Sequence, residues 1–237
     1  MSVLASLNFC LTSHLSSGLM VNYMSSKFTK KWEEGELKGL KATLRPSEPL
    51  KTKIELAIRR VEAQIQYLES TLNRLSERDK YLFSKIVEAY SRHQIQRARV
   101  LANELAELRK MANFMMNAEL ALERVALRLK TVTQLGNVVA TLAPATQVLQ
   151  SVRAGIGGLL PNAERELGQI GNMLNDLIIE AGEVTGVTPD FEIASDDAQK
   201  ILSEAALIAE QRMKEKFPEL PSLKSVEEAG EDSGFSE

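Results

Sequence analysis

Cysteine and histidine are scarce in this chain, whose 237 residues include only Cys10, His14 and His93. A single cysteine cannot form an internal disulfide, which fits a reducing compartment. The three residues lie far apart and show no ligand spacing, which argues against a zinc site and against Cys–His catalysis. We expect His93 to be a turn or solvent-facing residue.

Long apolar runs are lacking as well. No stretch approaches the roughly 18 consecutive apolar residues of a transmembrane helix, so we predict none. Residues 1–23 resemble a signal peptide only faintly, because no Lys or Arg precedes their apolar stretch. We interpret them either as a disordered tail or as the product of a start assigned too early, with Met24 as the alternative start.

Aromatic residues make up only 5% of the chain, whereas good helix formers dominate its middle section. This composition favours long helices over a compact mixed core. Residues 1–134 carry 22 Lys and Arg against 14 Asp and Glu, whereas residues 135–237 carry 7 against 18. The basic half can bind an anionic surface and the acidic half can fold back onto it, so the charge pattern is typical of self-inhibition.

Apolar residues recur in alternating steps of three and four from Leu50, interrupted only by Asp79, and again from Ile95. This spacing predicts two long amphipathic helices. Neither helix could bury its stripe alone, so we predict an all-α fold built on a long antiparallel helical hairpin. The stripes comprise Leu50, Ile54, Ile58 or Ala57, Val61, Ile65, Leu68, Leu72, Leu75, Leu82 and Ile86, then Ile95, Ala98, Leu101, Leu105, Leu108, Ala112, Met115, Leu122, Val125, Leu129 and Val132.

Glycine and proline become frequent after Gln134, which predicts shorter helices near 145–154 and 162–181 with hinges between them. Pro144 is expected to lie outside these helices. A linker and a last helix from about Ser195 to Lys216, capped by Ser195, follow.

No catalytic constellation emerges from this part of the chain. Gly155-Ile156-Gly157-Gly158 lacks the Lys-Ser/Thr of a phosphate-binding loop and is interpreted as a hinge. Asp196 and Asp197 are explained by the helix dipole at a predicted helix start. We therefore predict no enzyme, no cofactor and no metal site.

Basic residues crowd into the first 60 positions, close to Phe28, Trp32 and Leu37. Cations beside apolar anchors suit anionic lipid head groups, at roughly 1 kcal/mol per well-placed charge. The alternative is a solvated helix face. Nucleic acid would meet the same charge, but no base-reading motif is visible, so no nucleic-acid partner is predicted. The candidate membrane-binding residues are Lys27, Lys30, Lys31, Trp32, Lys38, Lys41, Lys51, Lys53, Arg59 and Arg60.

A basic lead, two long heptad-patterned helices, a glycine-broken middle and an acidic C-terminal part together resemble the ESCRT-III core. The stretch KFTKKWEEGELKGLKATLRPSEPLKTKIELAIRRVEAQIQYLE is similar to archaeal CdvB paralogues of the Sulfolobus-type division machinery. The likeness runs from about Met24 to Leu223. We divide the chain into a tail or mis-assigned start at 1–23, a basic lead at 24–46, a helical core at 47–181, a linker at 182–194, a C-terminal helix and motif at 195–223, and a disordered tail at 224–237.

Phe217-Pro218-Glu219-Leu220-Pro221 resembles the proline-rich MIT-interacting motif, through which ESCRT-III subunits engage the MIT domain of an AAA ATPase, CdvC in these archaea. Two prolines hold the backbone extended, which lowers the cost of ordering, and Phe217 and Leu220 can enter a groove between helices. The alternative is that the prolines merely stop the preceding helix.

The resemblance implies a subunit that polymerises with itself and with other CdvB-type subunits on the inner face of the plasma membrane, at the division site. The ATPase would disassemble this polymer. Some CdvB proteins carry a winged-helix segment that recruits CdvA, and with about sixteen residues after Pro221 we expect a shorter paralogue here. The alternative function is a cytosolic coiled-coil adaptor or chaperone without a membrane role.

Overall fold

Five helices make up nearly all of what the computed structural model describes, namely residues 49–135, 138–188 and 190–217. No strand occurs among these residues, so the predicted all-α fold is confirmed. The predicted N-terminal lead and both tails lie outside the described residues. The helices are α1 (Leu50–Ser91), α2 (Ile95–Leu135), α3 (Val138–Ile156), α4 (Pro161–Thr185) and α5 (Phe191–Lys216).

Helices α1 and α2 pack against each other as an antiparallel hairpin. Arg78 pairs with Glu104 close to the turn, and Glu62 pairs with Lys130 further from it. The two helices therefore run in opposite directions. The stripes predicted from sequence are the buried seam, with Ile65, Leu75, Ile86 and Leu101 partly buried beside it and Ile95 exposed. Two helices of 42 and 41 residues thus cover each other's apolar faces.

The one polar residue in the first stripe, Asp79, is 4% exposed. Arg109 on α2 binds it through both ends of its guanidinium, with Nε–Oδ1 at 2.6 Å and Nη2–Oδ2 at 3.1 Å. This bidentate geometry is the favoured arrangement of an Arg–carboxylate pair. The interruption in the apolar pattern therefore corresponds to a buried ion pair across the seam.

The turn between the two helices contains neither glycine nor proline. His93 takes a positive φ of 56° there, and histidine is among the non-glycine residues that tolerate this left-handed region. The His93 and Gln94 N–H groups donate to the carbonyls of Tyr90 and Ala89 and so close the end of α1. The prediction that His93 is a turn residue is confirmed.

The environment of α2 changes at Met115. Between 95 and 112 only four of the eighteen side chains are buried, as in a two-helix seam. From Met115 to Leu122 almost every side chain is buried, because α3 and α5 also pack on this part of the helix. The half of the hairpin distant from its turn is thus the centre of a helical bundle.

The remaining helices fold back onto the hairpin: α3 and α4 pack together, α3 lies against α2, α4 against α1, and α5 against α2 and α3. Two expectations about them were wrong. Pro144 lies inside α3, which begins at Val138, because Val138, Val139 and Leu142 are almost completely buried and anchor the first turns.

The N-cap of α5 was also predicted at the wrong residue. Asp190, and not Ser195, caps the helix, since its Oδ1 accepts the N–H groups of Glu192 and Ile193. The helix consequently begins at Phe191, one turn earlier than expected.

Candidate membrane and partner surfaces

The candidate membrane-binding residues divide into two groups. Lys27, Lys30, Lys31, Trp32, Lys38 and Lys41 precede the described residues. The others lie on the first three turns of α1, where Lys51 and Arg59 are exposed and Arg60 is half-buried. Their contact with lipid stays a prediction.

Among the four described cations of this set, Lys53 faces another helix. Its Nζ lies 2.7 Å from Glu180 Oε2 on α4, and the two side chains are 30% and 21% exposed. Partial burial protects this pair from solvent screening better than the other ion pairs between the hairpin and the later helices. One predicted membrane contact is thus engaged by the acidic half of the chain.

Helix α5 lies along α2 with opposite charges facing each other. Arg124 lies 2.9 Å from Glu204, and Arg128 lies 3.6 Å from Asp197. Each cation comes from the hairpin and each carboxylate from α5. Arg212 on α5 and Glu123 on α2, 3.9 Å apart, have the reverse polarity. These pairs are about 30–55% exposed, so each contributes only about 0–1 kcal/mol.

The apolar contacts of the two outer helices differ in kind. On α4 the buried side chains are mostly large, including Leu167, Ile170, Leu174 and Leu177. Among the described side chains within α5, the buried ones are small with one exception. They are Ala194, Ala198, Ile201, Ala205 and Ala209. Leu202, Ile208 and Met213 of α5 are partly buried against the same core. Because hydrophobic stabilisation scales with the apolar area removed from water, the fully buried side chains of α5 contribute less than those of α4.

The candidate MIT-interacting motif begins inside the described structure, and its remaining residues, 218–221, lie outside it. Phe217 is the C-cap of α5 and is 4% exposed, as a member of the hydrophobic core. The neighbouring Lys216 Nζ donates to Asn73 Oδ1 on α1 at 3.2 Å. The sequence interpretation had placed Phe217 in a partner's groove, whereas here the chain itself covers the side chain.

A buried carboxylate that the sequence reading passed over lies next to this contact. Glu119 on α2 is 6% exposed, and its Oε2 has no hydrogen-bond partner. Burial raises the pKa of this carboxyl, and Glu123 and Glu69 nearby also raise it, whereas Lys216 and Arg212 on α5 lower it. The signal was present, because Glu119 occupies the stripe position between Met115 and Leu122.

The described residues offer little to a small-molecule reaction. They contain no cluster of three or more His, Cys, Asp or Glu side chains that could hold a metal ion. Gly155 and Ile156 end α3, and Gly157 and Gly158 form the turn toward α4. That this turn acts as a hinge stays a prediction. Among the described helices, none has both the length and the apolar content needed to span a bilayer.

Two curated proteins of Sulfolobus acidocaldarius are similar to this chain. Cell division protein B1 is 39% identical over 203 residues, which cover 86% of this chain and 94% of that protein. Cell division protein B is 33% identical over 162 residues, which cover 68% of this chain and 62% of that protein. No protein-family model matches the chain, and no solved structure matches it. The first alignment spans most of both chains, so the similarity extends well beyond a single motif.

Proposed function

Because this chain belongs to the CdvB family of cell division proteins, we propose that it acts in cell division as a subunit of an ESCRT-III-like polymer. The polymer forms on the inner face of the plasma membrane, from this chain and other CdvB-type subunits, and remodels or constricts the membrane. The chain is a structural subunit and not an enzyme. An AAA ATPase, whose MIT domain binds residues 217–221, supplies the energy for disassembly.

The observation that carries this proposal is the docking of the acidic helices α4 and α5 on the basic hairpin. Lys53, one of the candidate membrane cations, is bound to Glu180 in this arrangement. We interpret it as the closed subunit, in which the chain's own carboxylates take the place of lipid phosphates.

On opening, lipid phosphates would replace the chain's own carboxylates as the partners of the hairpin cations. Detachment of α4 from α1 frees Lys53, which shares one face of α1 with Arg60 two turns further along the helix. Each well-placed cation gains roughly 1 kcal/mol at an anionic bilayer, which is comparable to what an exposed ion pair contributes to closure. A membrane of sufficient charge can therefore offset the Lys53–Glu180 pair, and it takes several such cations together to offset the apolar contacts of α4 as well. The turn at residues 157–160 is a place where the chain can bend.

The proposal is tested by cosedimentation with liposomes, using Glu180→Lys against a matched control. This change replaces the Lys53–Glu180 attraction by repulsion, so we expect binding to anionic vesicles about fivefold tighter than for the control. The control is Glu164→Lys on the same helix, which adds the same charge but disturbs a pair with Arg153 inside the C-terminal half. Equal binding by the two variants would contradict the role of the Lys53 contact.

Vesicle composition and salt separate the membrane role from the adaptor role. Binding should need anionic lipid, should weaken as salt rises from about 50 to 300 mM, and should be accompanied by filaments in negative-stain micrographs. If neither the natural chain nor Glu180→Lys binds anionic vesicles at low salt, the membrane role is refuted. The function as a coiled-coil adaptor is then the better interpretation.

A further inference from the structure

Exposed apolar side chains concentrate at two places that lie far apart in the described structure. Eleven large hydrophobic residues are exposed there, and six of them lie beside the hairpin turn or beside the connection between α4 and α5. The Lys53–Glu180 pair places this connection near the first turns of α1, about 55–60 Å from the hairpin turn at 1.5 Å per residue. The six residues are Val87, Ile95 and Val100 at the turn, and Ile179, Val187 and Ile193 at the connection.

The connection between α4 and α5 forms one wall of a groove of about 610 Å³. Ala143 and Gln147 on α3 face Ile178 and Ile179 on α4 across it, and Val187 closes one side. None of the residues that line this groove is charged, although 26% of the chain is. A neutral and mostly apolar groove suits apolar side chains better than it suits an ion or a phosphate.

The side of the groove that carries Val187 is held in place by the backbone. Gly186 takes a positive φ of 69°, and its N–H donates to the Gly182 carbonyl at 2.8 Å. A Cβ added to Gly182 would lie 3.1 Å from the Val187 carbonyl oxygen, so the connection passes close over the helix. A groove that is already formed loses little conformational freedom when it is filled.

The two ends carry opposite charge. Residues 84–102, around the turn, contain four Lys and Arg against one Glu, whereas residues 175–193, around the groove, contain five Asp and Glu and no Lys or Arg. Lys53 pairs with one of these five carboxylates, Glu180, and the other four are exposed. An anionic bilayer would be repelled by the groove, whereas the basic turn of the hairpin complements it.

We propose that the groove of one copy receives the hairpin turn of a second copy, so that subunits join head to tail through these two ends. This inference rests on the proposed function, because it names a contact by which the polymer grows. Contact between two turns brings cations together and contact between two grooves brings carboxylates together, so both symmetric pairings are disfavoured. A contact between unlike surfaces leaves one free end of each kind after every addition, and the chain of subunits stays open.

Each such contact is weak. The groove accommodates only a few side chains, and the contact is smaller than the about 1,200 Å² that a stable protein complex buries. Single subunits therefore predominate in dilute solution, and the contact becomes effective where subunits are concentrated on a surface. Because the charges at both ends are exposed, we expect the association to weaken as salt rises.

Sedimentation equilibrium of the full-length chain at low salt measures the contact. Ile95→Glu adds a carboxylate at the turn and Ile179→Lys adds a cation at the groove, at positions that are 46% and 59% exposed, so the fold tolerates both. The matched controls are Leu127→Glu and Leu207→Lys, at exposed positions away from both ends. We expect each of the first two variants to self-associate at least about tenfold more weakly than the natural chain, and the controls to associate like it.

Mixing the two variants tests whether the contact joins unlike ends. Ile95→Glu keeps a natural groove and Ile179→Lys keeps a natural turn, so an equimolar mixture should recover association that neither variant shows alone. A mixture that associates no better than its components would overturn the proposal, as would association that neither substitution affects. If Ile179→Lys lowers the Tm of the monomer and Leu207→Lys does not, the chain itself covers the groove, and the contact between copies is likewise overturned.

Disulfide formation detects the contact even when it is too weak for sedimentation. The natural chain contains only Cys10, so a Cys10→Ser background allows directed cross-linking. Ile95→Cys with Val187→Cys should give a ladder of covalent oligomers when oxidised on anionic vesicles. Ile95→Cys with Leu207→Cys is the control, and equal ladders from the two chains would overturn the proposal.

Negative-stain microscopy on anionic vesicles separates this contact from the polymer itself. Ile95→Glu and Ile179→Lys should still cosediment with the vesicles but should form no filaments, whereas the natural chain should form them. If both variants form filaments like the natural chain, the head-to-tail contact is overturned and the polymer stands. If the natural chain also forms none, the proposed function fails and this inference fails with it.

Discussion

The buried pair between Asp79 and Arg109 permits a prediction about the stability of the hairpin. Asp79 has a side chain that is 6% exposed, and Arg109 is its bidentate partner with 20% of its own side chain exposed. Substitution of Arg109 by methionine keeps an unbranched apolar stem but removes the guanidinium, so the carboxylate is left buried without its counter-ion. Removal of one partner from a buried pair typically costs about 3–5 kcal/mol.

Partial exposure of Arg109 places the expected cost toward the lower end. We expect Arg109→Met to lower the free energy of unfolding by about 3 kcal/mol, which for a domain of this size corresponds to a fall in Tm of about 6–12 °C. Urea denaturation followed by circular dichroism measures the first quantity and a thermal melt measures the second.

A neighbouring ion pair serves as the matched control. Arg78 and Glu104 join the same two helices with 2.8 Å between Nη2 and Oε1, but their side chains are 52% and 48% exposed. Arg78→Met removes the same charge from the hairpin and should cost no more than about 1 kcal/mol. A cost for Arg78→Met equal to that of Arg109→Met would mean that burial is not the cause.

The double variant Asp79→Leu/Arg109→Met completes the cycle. With both charged groups replaced by apolar ones of similar size, the seam loses the ion pair and also the unpaired charge, so stability should return close to that of the natural chain. If the double variant is as unstable as Arg109→Met alone, the reasoning from an unpaired buried carboxylate is refuted.

Two further predictions concern the later helices. Asp190→Ala should lower the free energy of unfolding by about 1 kcal/mol, because Asp190 accepts two N–H groups at the start of α5, whereas Ser195→Ala should cost less than half of this in the same denaturation experiment. Glu119→Gln should raise stability at pH 7, since burial raises the pKa of this carboxyl above its ordinary value of 4.5 in the folded chain. The folded state then retains its proton more strongly than the unfolded state, so the natural chain loses stability as pH rises from about 4.5 through the folded-state pKa. Melts at pH 4.5 and pH 7 should show the advantage of the glutamine variant growing with pH, and a constant advantage would contradict this origin.

The hairpin was predictable from the sequence because its determinants are local and repeated. Apolar residues that recur every three or four positions predict both where a helix lies and which of its faces is buried. The two seam positions without an apolar residue were also informative. Asp79 forms a buried ion pair, and Glu119, between Met115 and Leu122, is a buried carboxylate. A charged residue at a seam position is therefore a candidate for a buried charge and not merely a break.

The later helices were harder to predict because packing overrides local signals there. Pro144 removes one backbone donor, yet α3 continues through it, since the apolar residues that precede it are buried against the rest of the bundle. The burial of Phe217 depends on the hairpin coming close to the end of α5, more than 100 residues away along the chain. No pattern within a window of ten or twenty residues carries that information.

The change of environment along α2 at Met115 has a consequence for how this chain behaves as a particle. None of the other described helices adds a third layer to the portion of the hairpin nearest its turn, as only Asp79, Leu82 and Ala89 are buried between residues 76 and 91. This two-helix arm, formed by residues 76–91 of α1 and the facing turns of α2, is about 24 Å long at 1.5 Å per helical residue. We expect an arm of this length to raise the radius of gyration measured by solution scattering above that of a compact bundle with the same number of residues.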